Sequence, residues 1–211
     1  MKNDSLAVNL RRALFSSAAL ISILGTGILT PSSAEAIRVK GSKPRPNRFY
    51  KLTTMFLEKE NKCLEGNKLS PRSTLKGAAF MDNCQKVSGQ SWKLVPVGNG
   101  YFRLKTQFLE KENKCFEGNK LSPRSTLKGA AFMDNCQNVS GQLWKLVPAR
   151  NGYFRLKTMF LEKENKCLEG NKLSPRSTLK GAAFMDNCQN VSGQLWKFKP
   201  IKTKKTVIIK R

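Results

Sequence analysis

Between residues 49 and 200 apolar and polar positions alternate in short runs, and the runs recur every 52 positions. In the first copy Tyr50, Leu52, Thr54 and Phe56 alternate with Lys51, Thr53 and Met55, which predicts a half-buried strand. A second short strand is expected at Lys62–Glu65. Gly66-Asn67 then turns the chain into a polar loop holding Ser70-Pro71 and Arg72-Ser73. Ala78-Ala79-Phe80-Met81 reads as a third strand running toward Cys84. Past the turn at Ser88-Gly89, Trp92-Lys93-Leu94-Val95 reads as a fourth. Gly98-Asn99-Gly100 is a hairpin signal that delivers the chain into Tyr101-Phe102-Arg103-Leu104, the first strand of the next copy. No run after residue 36 carries a convincing helical period.

The copies are Phe49–Gly100, Tyr101–Gly152 and Tyr153–Pro200, and the first two agree at 42 of 52 aligned positions. Repetition at a fixed period implies a unit that buries its apolar face against its own copies. Four strands in each of three units must close on themselves or leave open edges. Propellers generally need four or more blades, so a three-fold closed barrel is the expected solution. Anything one repeat binds would then be offered three times.

All six cysteines lie inside the repeats, two per copy and 21 positions apart. An even count in an exported chain argues for disulfides. The repeat favours Cys63–Cys84, Cys115–Cys136 and Cys167–Cys188, each closing a loop whose constraint is worth about 3 kcal/mol. Zinc is disfavoured because the chain has no His and no closely spaced Cys pair. Residues 1–36 explain the export: Lys2, Arg11 and Arg12 precede the apolar Ala13–Leu29, and Ala34-Glu35-Ala36 is a small-x-small processing site of bacterial character. Polar and small residues dilute the apolar run, which favours cleavage over a retained anchor. A secreted or periplasmic location follows as an expectation. Residues 37–48 read as a basic, Pro-containing leader, 49–205 as the domain, and 206–211 as a tail or closing strand.

Charge is the strongest clue to partners. The sequence carries 39 Lys and Arg against 14 Asp and Glu, for a formal net charge of +25. Such an excess speaks to partners rather than to fold. Within the long loop of each copy stand Lys68, Arg72 and Lys76, then Lys120, Arg124 and Lys128, then Lys172, Arg176 and Lys180. These are candidate anion-binding residues for sulfated or acidic glycans, cell-surface phosphate polymers or a nucleic-acid backbone. No nucleic-acid reader motif interleaves aromatics with these cations, so base-specific recognition is not expected.

The motifs resemble those of the ricin-type β-trefoil lectins. Each copy has a Cys-x-acid strand, a second Cys, and a Gln-x-Trp: Gln90/Trp92, Gln142/Trp144 and Gln194/Trp196. The resemblance covers about 150 residues and implies an all-β trefoil with one disulfide per repeat and the tryptophans in the core. It implies sugar contacts at the acid after the first Cys, at an aromatic two residues before the second Cys, and at a polar residue before the Gln. Here the acid is Glu65, Glu117 and Glu169. The aromatic is replaced by Asp82, Asp134 and Asp186, and the polar residue by glycine, as at Gly89. The candidate polar pocket therefore combines these acids with Asn67, Asn83, Asn119, Asn135, Asn171 and Asn187. Phe80, Phe132 and Phe184 are expected in the core.

Two binding functions follow: a non-enzymatic carbohydrate-binding module with three equivalent sites, or an electrostatic binder of anionic polymers at a cell surface. Enzymatic roles fare worse. Without His there is no Ser-His or Cys-His nucleophile system, and a carboxylate pair such as Glu65 and Asp82 would be triplicated without a substrate cleft. No cofactor or metal is expected.

Overall fold

The structure is a computed structural model that describes residues 43–67, 77–120, 129–172 and 181–202. The processing signal, Lys68, Arg72, Lys76, Arg124, Lys128, Arg176, Lys180 and the tail at 206–211 lie outside the described residues.

Twelve strands are present among the described residues. They are β1 (Phe49–Thr54), β2 (Lys62–Glu65), β3 (Phe80–Asn83) and β4 (Trp92–Gly98); then β5 (Tyr101–Thr106), β6 (Lys114–Gly118), β7 (Ala131–Asn135) and β8 (Trp144–Pro148); then β9 (Phe154–Thr158), β10 (Lys166–Glu169), β11 (Phe184–Asn187) and β12 (Trp196–Pro200). Six of them close an antiparallel barrel in the order β1-β12-β9-β8-β5-β4. Closure removes the sheet edges that would otherwise invite aggregation. The hairpins β2–β3, β6–β7 and β10–β11 cover one end of it.

Around the three-fold axis the hairpins are tied by a ring of backbone hydrogen bonds. Ala79 N–H donates to Ala131 O, Ala131 N–H to Ala183 O, and Ala183 N–H to Ala79 O, all at 2.9 Å. The three alanines are fully buried. Trp92, Trp144 and Trp196 fill the core at 0% exposure, with Nε1–H donating to Leu64 O, Phe116 O and Leu168 O at 2.7–2.8 Å. A buried indole needs such a partner for its only donor. Phe80, Phe132 and Phe184 are buried as expected. Each repeat holds its own disulfide: Cys63–Cys84, Cys115–Cys136 and Cys167–Cys188.

Two strand expectations are corrected. The third strand of repeat 1 starts at Phe80, because Ala78 instead makes an isolated bridge to Phe132 of the next repeat. The first strand stops at Thr54 and does not continue to Phe56. Leu57 N–H turns back onto Thr54 O at 3.1 Å and onto Thr54 Oγ1 at 3.3 Å, which sends Leu57 into the core and Phe56 outward. Phe56 is 45% exposed.

Neighbouring repeats are joined on the barrel wall by acid–cation clusters. Lys197 and Lys199 lie 3.2 and 3.1 Å from Glu58, and Tyr153 Oη–H also donates to it. Burial alone would push the Glu58 carboxyl up. The hydrogen bonds from Tyr153, Lys199 and Lys197 outweigh it and hold the carboxyl down at about 2. The same constellation recurs as Glu162 with Lys145 at 2.7 Å and Tyr101 Oη at 2.6 Å. In the third copy Glu110 meets Lys93, but Phe49 stands where the other two have tyrosine.

Candidate functional site

The acid of each repeat is held from below by the Gln of the Gln-x-Trp motif. In repeat 2, Gln142 Nε2 donates to Glu117 Oε2 and to Asn135 O, both at 2.8 Å, while its Oε1 accepts Gln137 N–H at 2.8 Å. Asn119 Nδ2–H donates to the other Glu117 oxygen. Repeat 1 repeats the set with Gln90, Glu65, Asn83, Gln85 and Asn67, and repeat 3 with Gln194, Glu169, Asn187, Gln189 and Asn171. These glutamines are fully buried and act on structure. A carboxylate has about four acceptor positions, so each acid keeps capacity for an outside donor.

Glycine before the Gln is explained by Asn119: a Cβ at Gly141 would collide with Asn119 Oδ1, and Gly89 and Gly193 stand in the same relation to Asn67 and Asn171. The side-chain amide two residues past the acid occupies the space that a polar residue before the Gln would need.

A cleft opens above this layer. Glu117, Asn119, Lys120, Val139, Ser140 and Gly141 of repeat 2 line about 420 Å³ of it, and Phe160 of repeat 3 supplies the remaining wall. Glu169, Asn171, Lys172, Val191, Ser192 and Gly193 form a like cleft of about 430 Å³ with Phe56 of repeat 1. Every such phenylalanine is seated by its backbone on the preceding repeat. Phe160 N–H donates to Ser140 O, Phe56 N–H to Ser192 O, and Phe108 N–H to Ser88 O, each at 3.3 Å. Phe108 and Phe160 are 49% and 48% exposed, so their rings face solvent where a core residue would be covered. Phe108 has the same backbone seat at the boundary between repeats 1 and 2.

The candidate residues divide. Glu117, Asn119 and Lys120, with Glu169, Asn171 and Lys172, come together in the clefts. Asp82, Asp134 and Asp186 do not line them: each accepts the backbone N–H of the next residue at 2.8 Å. Asn83, Asn135 and Asn187 accept from Lys62, Lys114 and Lys166 at 2.6–2.7 Å. Lys120 and Lys172 are bridged to Glu164 and Glu60 of the following repeat at 2.7 Å, which ties each cleft across the repeat boundary. Phe56, Phe108 and Phe160 were not anticipated as site residues. The available signal was the adjacent pair Phe56-Leu57, since two successive apolar residues cannot both point inward from a strand.

The chain is similar to several solved structures. It matches the designed three-fold symmetric protein ThreeFoil at 22% identity and a TM-score of 0.55, covering 72% of this chain and 99% of that one. It matches BEL β-trefoil at 11% identity and 0.54, over 75% and 96% of the two chains. The fold is the β-trefoil. A ricin B-like lectin from Macrolepiota procera, determined in complex with lactose, matches this trefoil at 13% identity and a TM-score of 0.54, over 76% of this chain and 100% of that one. Neither a protein-family model nor a curated protein sequence matches the chain.

Proposed function

We propose that this protein is an exported, non-enzymatic glycan-binding trefoil that takes one saccharide in each cleft between adjacent repeats. One observation carries the reading: an outward-facing phenylalanine of one repeat stands over the Glu–Asn–Lys edge of its neighbour. A sugar ring presents an apolar face and a rim of hydroxyls. Phe160 offers the face a platform, and Glu117, Asn119 and Lys120 offer the hydroxyls acceptors and donors. A concave site mixing an aromatic wall with a few convergent polar groups is what small-ligand recognition uses. The likeness to trefoils that include a lactose-bound lectin supports the same reading.

The test replaces Phe56, Phe108 and Phe160 with alanine together and measures binding to a glycan array against wild type. The three rings are exposed, so the variant is expected to fold. Affinity for the preferred glycan should fall by about 100-fold, since weakening linked sites multiplies through avidity. Undiminished binding by that variant, with binding abolished by Asp82→Ala, Asp134→Ala and Asp186→Ala, would move the sugar to the hairpin acids and defeat the proposal.

A further inference from the structure

The barrel has a further pocket, distinct from the two clefts, at the end opposite the hairpins. Strands β1 and β9 begin there and β12 finishes there, whereas the hairpins join the other ends of these strands. A volume of about 280 Å³ is lined there by Lys43, Arg45 and Arg48 together with Tyr50, Phe154 and Phe198. Three cations line it and no acid does.

The repeat explains how this pocket arises at the seam. Stepping back 52 positions, the segment Pro44-Arg45-Pro46-Asn47-Arg48 is a further copy of Pro96-Val97-Gly98-Asn99-Gly100 and of Pro148-Ala149-Arg150-Asn151-Gly152. Asn47, Asn99 and Asn151 share the same left-handed turn, at φ of 58°, 51° and 56°. At the other two boundaries this copy is the hairpin that links consecutive strands. At the seam where β1 meets β12, Pro200 already takes the ladder position opposite Tyr50. The upstream copy is therefore displaced over the barrel mouth. It is fixed there: Arg45 N–H donates to Tyr50 Oη at 2.8 Å, Asn47 N–H donates to Leu94 O at 2.9 Å, and Pro44 is buried. At three of its positions this copy alone carries a cation, although Arg150 stands where it has Pro46. Lys43, Arg45 and Arg48 correspond to Val95, Val97 and Gly100, and to Val147, Ala149 and Gly152. All three are exposed, and none forms a salt bridge among the described residues.

We infer that this seam pocket is an anion site that binds a tetrahedral oxyanion ester, a sulfate or phosphate monoester, carried on a glycan chain. It goes beyond the cleft reading and does not depend on it. Arginine suits such oxyanions because its planar fork donates two parallel hydrogen bonds. A glycan is favoured over nucleic acid by the aromatic walls. Phe198 packs edge-on against Tyr50 and Phe154 at 5.8 and 6.0 Å, Tyr50 and Phe154 are buried and Phe198 is partly buried, so no ring presents a fully open face for base stacking.

The test titrates the full chain by calorimetry with a sulfated hexasaccharide, its phosphorylated analogue and the unmodified sugar, across a series of salt concentrations. Wild type is compared with Lys43→Gln/Arg45→Gln/Arg48→Gln and with a charge-matched control, Lys59→Gln/Lys111→Gln/Lys163→Gln, at three exposed turn positions. The seam variant should lose at least about tenfold in affinity, and its log–log salt slope should become shallower by about 2, while the control changes both little. The tighter of the two ester arms names the source of the anion. Equal losses in the two variants, or equal binding of the unmodified sugar, would overturn the site. A single-stranded oligonucleotide that loses more affinity than the hexasaccharide in the seam variant would overturn the glycan assignment.

Discussion

Replacing Gln142 with alanine tests whether the Gln-x-Trp glutamine is a structural pin or a ligand contact. The side chain is fully buried and makes three hydrogen bonds at 2.8 Å, to Glu117, Asn135 and Gln137. Truncation leaves a carboxylate oxygen, a carbonyl and an amide without their partner. Each buried orphan costs about 1–3 kcal/mol, and with water satisfying the most accessible of them the total should be about 4 kcal/mol. For a domain of this size, that lowers Tm by about 8–16 °C. Thermal unfolding followed by tryptophan fluorescence reads it, since Trp144 sits two residues away in the core. Gln142→Glu is the sharper companion, because it places a second carboxylate against Glu117. Like charges at one site raise one of the two carboxyl pKa values, so this variant should be weakest near neutral pH and regain stability as acid protonates the pair. A Gln142→Ala loss below about 1 kcal/mol, or a Gln142→Glu deficit that does not ease in acid, would refute the pin.

Two further outcomes follow from the acid clusters between repeats. Phe49→Tyr should supply the hydroxyl that Tyr101 and Tyr153 already offer to Glu162 and Glu58, directing it at Glu110, and raise stability by about 0.5–1 kcal/mol in urea denaturation. Because the Glu58 carboxyl sits at about 2 in the folded protein against an ordinary 4.5, its contribution is complete above the ordinary value and is lost as pH falls from there toward 2. Screening at this partly exposed site leaves about 1 kcal/mol, which Glu58→Gln should remove together with that part of the acid dependence.

How far the chain could be read from its letters varied with the physics involved. The strand at Lys62–Glu65 and the three internal disulfides follow from alternation and repeat symmetry, which act locally or three times over, whereas the tryptophan core follows from the resemblance carried by the Gln-x-Trp motifs. The end of β1 did not. Alternation continued formally through Phe56, whereas Thr54 closes a turn onto Leu57, a competition between ladder and turn that composition alone leaves undecided. The clefts were half legible: their acids and asparagines were named, but the aromatic wall comes from the next repeat, and no one-repeat reading contains it. Residues 37–48 read as a leader because Pro and basic residues dominate them, while the 52-residue register linking Pro44 to Pro96 is a weak signal, with only Pro and Asn shared across positions 44–48.

Because every cleft is built from two repeats, the number of complete clefts depends on closure rather than on copy number. The cleft of Glu117 and Phe160 lies between consecutive repeats, but that of Glu169 and Phe56 exists only once the last repeat has met the first. The β1–β12 ladder that brings them together also seats Tyr50 opposite Pro200 and so fixes the floor of the cationic pocket. One event, sealing the barrel, thus completes the cleft of Glu169 and Phe56 on one side of the seam and the anion site at its mouth. Triplication makes the clefts alike and favours avidity. The seam is where the symmetry must break, and there Lys43, Arg45 and Arg48 replace the valine, alanine and glycine that the other copies carry at those positions.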